Sequence, residues 1–115
     1  MLIELDSGMQ RCGLQPGPNV VEFAQRLTQL PGIELVGLMA WEGHVCKIED
    51  EAEKKAQTLK TVCSLVSTVE LCRKAGIEIP IVSRGGTGSF RFAAHIPGIT
   101  EIQAGGGIFG DVTYR

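Results

Sequence analysis

Four short apolar segments, each running into a loop and then into a stretch with helical spacing, constrain this chain more than any other feature. Leu2 to Asp6 alternates apolar and acidic residues like a strand, and Ser7, Gly8 and Gly13 mark the loop that follows. Gly17-Pro18 suits a helix start with proline at the first position. Val20, Phe23, Ala24, Leu27 and Leu30 then keep helical spacing until Pro31-Gly32. Ile33 to Met39 reads as a strand buried on both faces, and Ala40 to Glu49 as its loop. Asp50 with Glu53 three residues on forms a capping-box-like start. It opens a long helix whose apolar stripe is Ala52, Ala56, Leu59, Cys63 and Val66, flanked by Val62, Leu65, Val69 and Cys72, with Gly76 placed to end it. Ile77 to Ser83 is the third strand, with Pro80 an early irregularity because it lacks an N–H. Arg84 to Ser89 is glycine-rich, Phe90 to Ile96 suits a short helix, Ile99 to Gln103 is a fourth strand, and Gly105-Gly106-Gly107 is a turn.

Strands alternating with helices imply parallel pairing through right-handed crossovers, the helices packed outside. Four such units are half of a (β/α)8 TIM-type barrel, which takes about 250 residues when whole. Residues 1–115 therefore read as one partial barrel domain. Half a barrel leaves two raw edges rich in Ile and Val, so either the missing remainder of the barrel or self-association into a homo-oligomer is expected to cover them.

Composition narrows the function classes. Charged residues are 21% and hydrophobic residues 43%, with a net charge of -2. The basic residues are scattered, which argues against a nucleic-acid partner, since that grip needs clustered Lys and Arg. No apolar run reaches the ~18 residues of a membrane span, and no basic leader precedes Asp6, so a cytoplasmic protein with no membrane partner is expected. Cys12, Cys46, Cys63 and Cys72 form no CxxC pair, and reduced thiols are the expectation.

Ligands of barrels and open α/β sheets bind where loops leave the C-terminal strand ends. Here those loops are Asp6 to Gly13, Trp41 to His44, Ser83 to Ser89, and Gln103 to Gly107. Ser83 to Ser89 is the most informative, because glycines let backbone N–H groups converge on an anion and hydroxyls add donors. It lacks the lysine of a nucleotide P-loop. Taken alone it reads either as an anion cradle or as a flexible turn.

Taken as a set, the four loops resemble one family. DSGMQRCG is similar to the D-[ST]-G-x-x-R-x-G signature of fold-type III pyridoxal-phosphate enzymes, and GLMAWEGH to the G-L-x-x-Y-E-G-H segment of their D-threonine aldolase and D-serine dehydratase group. VSRGGTGSF resembles that group's V-S-G-G-G-T-G-T/S-F/Y phosphate loop, and PGITEIQAGGGIFGD its P-G-x-T-E-x-Q-A-G-S-Y-V-F-x-D segment. The resemblance spans nearly the whole chain and implies the C-terminal half of an alanine racemase N-terminal-like barrel. It implies a pyridoxal 5'-phosphate site. Arg11 would stand near the cofactor's phenolic oxygen, or else be an exposed arginine paired with Asp6 or Glu4. Trp41 would lie beside the cofactor ring, and Ser83, Gly85, Gly86 and Thr87 would hold its phosphate. Gln103, Ala104 and Gly105 would approach from the last strand.

Departures from the pattern matter too. Trp41 replaces the usual Tyr, removing a hydroxyl while keeping a stacking surface. Arg84 replaces a Gly, and is expected either to bind phosphate directly or to be a solvated arginine, with strain if that position needs a positive φ. Gly106-Gly107 stands where Ser-Tyr is common. The family's Schiff-base lysine lies on the first barrel strand, and Lys47, Lys54, Lys55, Lys60 and Lys74 are no substitutes. The family's divalent-metal ligands, for a metal such as zinc in the complete enzyme, would lie beyond Arg115. His44-Val45-Cys46 imitates their spacing, but no metal site is expected there; His44 reads as a supporting hydrogen-bonding residue or an exposed histidine, and His95 as structural.

Two functions are therefore expected from different classes. The first is part of a pyridoxal-phosphate lyase acting on a small D-hydroxyamino acid, without a catalytic residue of its own and inactive alone. The second is a non-catalytic phosphate- or cofactor-binding or assembly module made by pairing half-barrels. Racemase-like chemistry ranks third, because the racemase pattern differs after its second matching strand.

Overall fold

A computed structural model of the protein describes residues 1–110. Strands β1 (Leu2–Leu5), β2 (Gly37–Ala40), β3 (Ile81–Arg84) and β4 (Glu101–Ile102) form one sheet in the order β1-β2-β3-β4. Every pairing is parallel. Each strand lies beside its predecessor in the chain, as barrel strands do; a doubly wound sheet would reverse order part-way. The expectation of an α/β chain of four parallel strands alternating with helices holds.

Helix α1 (Pro18–Leu27) begins with proline at its first position and buries Val20, Ala24 and Leu27. Beyond Leu27 the last turns loosen, through Gln29 N–H to Arg26 O and Leu30 N–H to Leu27 O, so Leu30 is exposed. A 3-10 turn, Gly43–Lys47, follows β2. Helix α2 (Glu51–Lys74) starts where Asp50 Oδ1 accepts the Glu53 N–H at 2.7 Å. It ends on Gly76 at φ +79, where Ile77 N–H donates to Cys72 O at 3.0 Å, the closing bond of a Schellman motif. Helix α3 is short, Phe90–Ala93.

The buried face of α2 is not the stripe the apolar spacing suggests. Ala52, Ala56, Leu59 and Cys63 are exposed, and the core side is Thr58, Thr61, Val62, Leu65, Thr68, Val69 and Cys72. The threonines can go inside because each hydroxyl donates to a carbonyl of its own helix: Thr58 to Lys54 O, Thr61 to Thr58 O, and Thr68 to Ser64 O. Their methyl groups then pack like valine. This face meets Ile3, Leu5, Leu38, Ala40 and Val82 from the sheet and Val20, Ala24 and Leu27 from α1.

Three strands are shorter than the apolar runs that announced them. Val36 N–H reaches Met1 O, and the described residues ahead of it, from Ile33, have no strand alongside. Pro80 has no N–H to give, so the pairing of β3 begins with Ile81 N–H to Val36 O, although Ile77 and Ile79 are buried. Thr100 ties to Val82 through both its N–H and its hydroxyl, and only Glu101 and Ile102 follow as strand. Parallel register places Leu5, Ala40, Arg84 and Ile102 side by side, and Glu4, Met39, Ser83 and Glu101 in the adjoining row. Because alternate residues face opposite sides, the first row faces the helices and the second faces away from them.

Candidate anion and cofactor cleft

The loops at the C-terminal strand ends gather on one rim, as their common strand direction requires. They enclose a cleft of about 390 Å³ lined by Arg11, Met39, Trp41, Gly86, Thr87, Gln103, Gly105 and Gly106. Of the residues singled out in the sequence, Arg11, Trp41, Gly86, Thr87, Gln103 and Gly105 are thus brought together. Ser83, Gly85 and Ala104 do not line this cleft. Ser83 is buried in β3, its hydroxyl donating to Glu101 Oε1 and accepting from Gln103 Nε2 at 2.6 Å. Through that second bond it fixes the side chain of a residue that does reach the cleft.

Trp41 forms one wall. A methyl group on Gly86 would sit 2.7 Å from the indole Nε1, and one on Gly43 within 2.7–2.9 Å of the ring carbons, so both approaches demand glycine. Over the indole lies the Arg11 guanidinium, 4.7 Å from the ring centroid, and its Nη2 also meets Glu4 Oε1 at 2.9 Å. Arg11 is thus paired with Glu4, as one of its two readings expected, and it also lines the cleft.

A carboxylate-centred turn precedes that arginine in the chain. Asp6 Oδ1 accepts the N–H groups of Gly8 at 3.0 Å and Gln10 at 2.9 Å, and Asp6 Oδ2 accepts from Gln15. Gln10 takes φ 55 to close the turn. Those donors, Gln10 first and Gly8 next, hold the Asp6 pKa below its ordinary value. Glu4 is lowered as well, chiefly by the Cys12 thiol and then by Arg11. A carboxylate depressed in the folded state stabilises it above the unfolded pKa, about 4, and that contribution is lost as pH falls through the lower folded value. Emission from Trp41, the only tryptophan, is expected to stay constant from pH 7 to about 5 and to shift below about 4 as the Asp6 turn opens and Arg11 leaves the ring. A midpoint near neutrality in a fluorescence titration would contradict this account.

The glycine loop presents donors. Ser89 and Phe90 return their N–H groups to Gly86 O, and Gln103 N–H takes Gly85 O. The N–H groups of Gly86, Thr87 and Gly88 donate to no backbone carbonyl among the described residues outside the helices and strands. Unpaired amides beside a hydroxyl are what an anion cradle requires.

Arg84 corrects the sequence reading on both counts. It neither reaches toward the rim nor stands in solvent: it is fully buried in the helix-facing row, without a positive φ. Its Nη1 donates to Thr61 O at 2.9 Å and its Nη2 to the Thr61 hydroxyl, while Nε faces Glu42 Oε2 at 3.0 Å. Neither Nε nor Oε2 has a partner in full hydrogen-bond alignment, so this contact is an ion pair more than a directed bond. Burial pushes the arginine pKa down, and Glu42 opposes that. Glu42, also fully buried, went unnoticed in the sequence. The available signal was strand parity: Arg84 stands two residues after the core residue Val82 and so shares its face, where a cation needs a carboxylate.

His44 is half-buried with Nδ1 unpartnered, and its ring edge lies 3.5 Å from where a side chain on Gly8 would begin. Among the described residues no three His, Cys, Asp or Glu side chains gather into a metal-binding group. No helix among them is long and apolar enough to cross a membrane.

The family model described as alanine racemase, N-terminal domain, matches residues 1–113. The chain belongs to this family. D-threonine aldolase of Arthrobacter sp. is 34% identical to this family member over 114 residues, covering 99% of the chain and 30% of the relative. 3-Hydroxy-D-aspartate aldolase of Paracoccus denitrificans is 28% identical, with the same coverage. In three dimensions the alanine racemase N-terminal fold here superposes on the crystal structure of D-threonine aldolase from Filomicrobium marinum with a TM-score of 0.93 at 31% identity, covering 98% of this chain and 30% of that one. The chain spans about 30% of the length of the relatives it matches.

Proposed function

We propose that this chain forms the phosphate-binding arc of a pyridoxal-phosphate lyase acting on small D-hydroxyamino acids. The observation that carries the reading is the joining around one cleft of Arg11, Trp41, Thr87 and glycine-loop amides that have no backbone partner among the described residues. The names of the relatives, aldolases of D-threonine and of 3-hydroxy-D-aspartate, favour the substrate class. The cleft residues fit such a cofactor. Gly86, Thr87 and Gly88 would donate to its phosphate, Trp41 would flank its ring, and Arg11 would place a fixed cation beside the ring's oxygen. Gln103, held by Ser83, would meet the ring as a neutral hydrogen-bonding group. When bound, pyridoxal phosphate supplies an electron sink for a carbanion formed on the substrate.

None of the chain's lysines lines this cleft. Lys47 is exposed at the end of the 3-10 turn, and Lys54, Lys55, Lys60 and Lys74 are on α2, the helix outside the sheet. The chain alone is therefore proposed to bind without turnover, the covalent partner being supplied by another segment or chain, which would cover the open strand edges. Titration with pyridoxal phosphate is expected to quench Trp41 reversibly, with inorganic phosphate competing. Borohydride reduction followed by peptide mapping is expected to label no single lysine. Absence of quenching defeats the binding reading, and steady release of glycine from D-threonine defeats the claim of inactivity.

The assembly-module reading has one observation in its favour. Leu14 pairs with the outer side of β1, through Asp6 N–H to Leu14 O at 2.8 Å and Leu14 N–H to Glu4 O at 2.9 Å, closing only part of that edge. The rest stays available to another strand.

A further inference from the structure

One carboxylate touches both ends of the glycine loop. At the entrance, Glu42 Oε2 faces Arg84 Nε at 3.0 Å; at the exit, Glu42 Oε1 accepts the Ser89 hydroxyl. Between those anchors lie only residues 85–88, three of them glycine. Glycines have the largest conformational freedom to lose on ordering, so a cradle built from them is costly to hold in one shape unless its ends are fixed. All three anchoring residues are fully buried, and Arg84 is in turn held on α2 by both oxygen atoms of Thr61. Glu42 directly follows Trp41, whose indole packs against Gly86, so the same short segment fixes the loop's ends and its middle. Ser89 precedes α3 yet makes no capping bond to it; its hydroxyl goes to Glu42 instead.

We propose that Glu42 is a positioning residue that staples the glycine loop at Arg84 and Ser89, holding the amides of residues 86–88 in place for a phosphate group. The inference deepens the proposed function and rests on it for the identity of the anion. The staple itself is a claim about loop order and can be tested without any ligand.

Amide hydrogen exchange and phosphate affinity are measured on the full chain, with pyridoxal phosphate and inorganic phosphate as probes. The variants are Ser89→Ala, Ser89→Thr and the double replacement Glu42→Leu with Arg84→Met. Ser89→Ala removes one hydroxyl and leaves the ion pair intact. The double variant removes the pair together, which leaves no buried charge alone. Exchange at the amides of Ser89, Phe90 and Gln103, which donate to the loop carbonyls of Gly86 and Gly85, is expected to accelerate by about tenfold in Ser89→Ala and by more in the double variant, with parallel losses of affinity, since a hydrogen bond to a charged group is removed. Ser89→Thr, which keeps the hydroxyl, is expected to restore both. A folded Ser89→Ala chain that exchanges and binds like the unaltered protein would overturn the staple. Should the unaltered chain bind neither probe, the phosphate reading fails, and the exchange comparison still decides the staple by itself.

Discussion

Glu42→Ala is expected to destabilise the fold by about 3–5 kcal/mol, the usual loss when one partner of a buried ion pair is removed. The wild-type arrangement leaves Arg84 entirely without solvent, its charge faced among the described residues by Glu42 and by the dipoles of Thr61. Removing the carboxylate strands that cation in the helical layer, and the Ser89 hydroxyl loses its acceptor. A domain of this size has roughly 5–15 kcal/mol in total, so the variant is expected to unfold at a much lower urea concentration. The double variant Glu42→Leu with Arg84→Met is expected to recover most of the loss, because two apolar side chains of similar volume avoid the desolvation cost of both charges. Equal urea midpoints for Glu42→Ala and wild type would show that the pair is open to water in solution.

The second large effect is expected at Gly37. A methyl group there would lie 2.1 Å from Ile81 O and 2.8 Å from Ile81 Cβ, with Leu2 Cδ2 at 2.7 Å. Gly37 and Ile81 are register partners in the β2–β3 pairing, so the obstructing atom is ladder backbone that cannot rotate aside. The strands must separate where the sheet core begins. Overpacking of a movable side chain costs about 1–3 kcal/mol, and a backbone obstruction sits at or above the upper end. Gly37→Ala is expected to lower the melting temperature by on the order of 10 °C or more. Gly105→Ala, with nothing within 4 Å of the added carbon, serves as the control and is expected to melt with the wild type. Similar melting of both variants would mean that β2 and β3 do not approach as described.

Both cases show where sequence reasoning stops. Alternating strand and helix signals were legible because each is local: proline after Gly17, the Asp50 cap, Gly76 at φ +79 and the apolar runs act on their own few residues. The gathering of four loops on one rim followed from parallel direction alone. Strand lengths were less legible, since a strand exists only as far as a neighbour runs beside it. The burial of Thr58, Thr61 and Thr68 was hidden because a hydroxyl that bonds its own helix no longer carries the polarity its residue type suggests.

By itself the sequence determined the four strands alternating with helices, their parallel direction, and the rim on which Arg11, Trp41, Thr87 and Gln103 meet. Those follow from short-range periodicity and from chain connectivity. Only the tertiary structure decided that Arg84 turns inward to Glu42, that one carboxylate reaches Ser89 across 47 positions, and that Trp41 lies between two glycines under a guanidinium. These depend on which side chains the completed packing strips of water, and a buried charge finds its partner by proximity in space, which separation along the chain does not reveal.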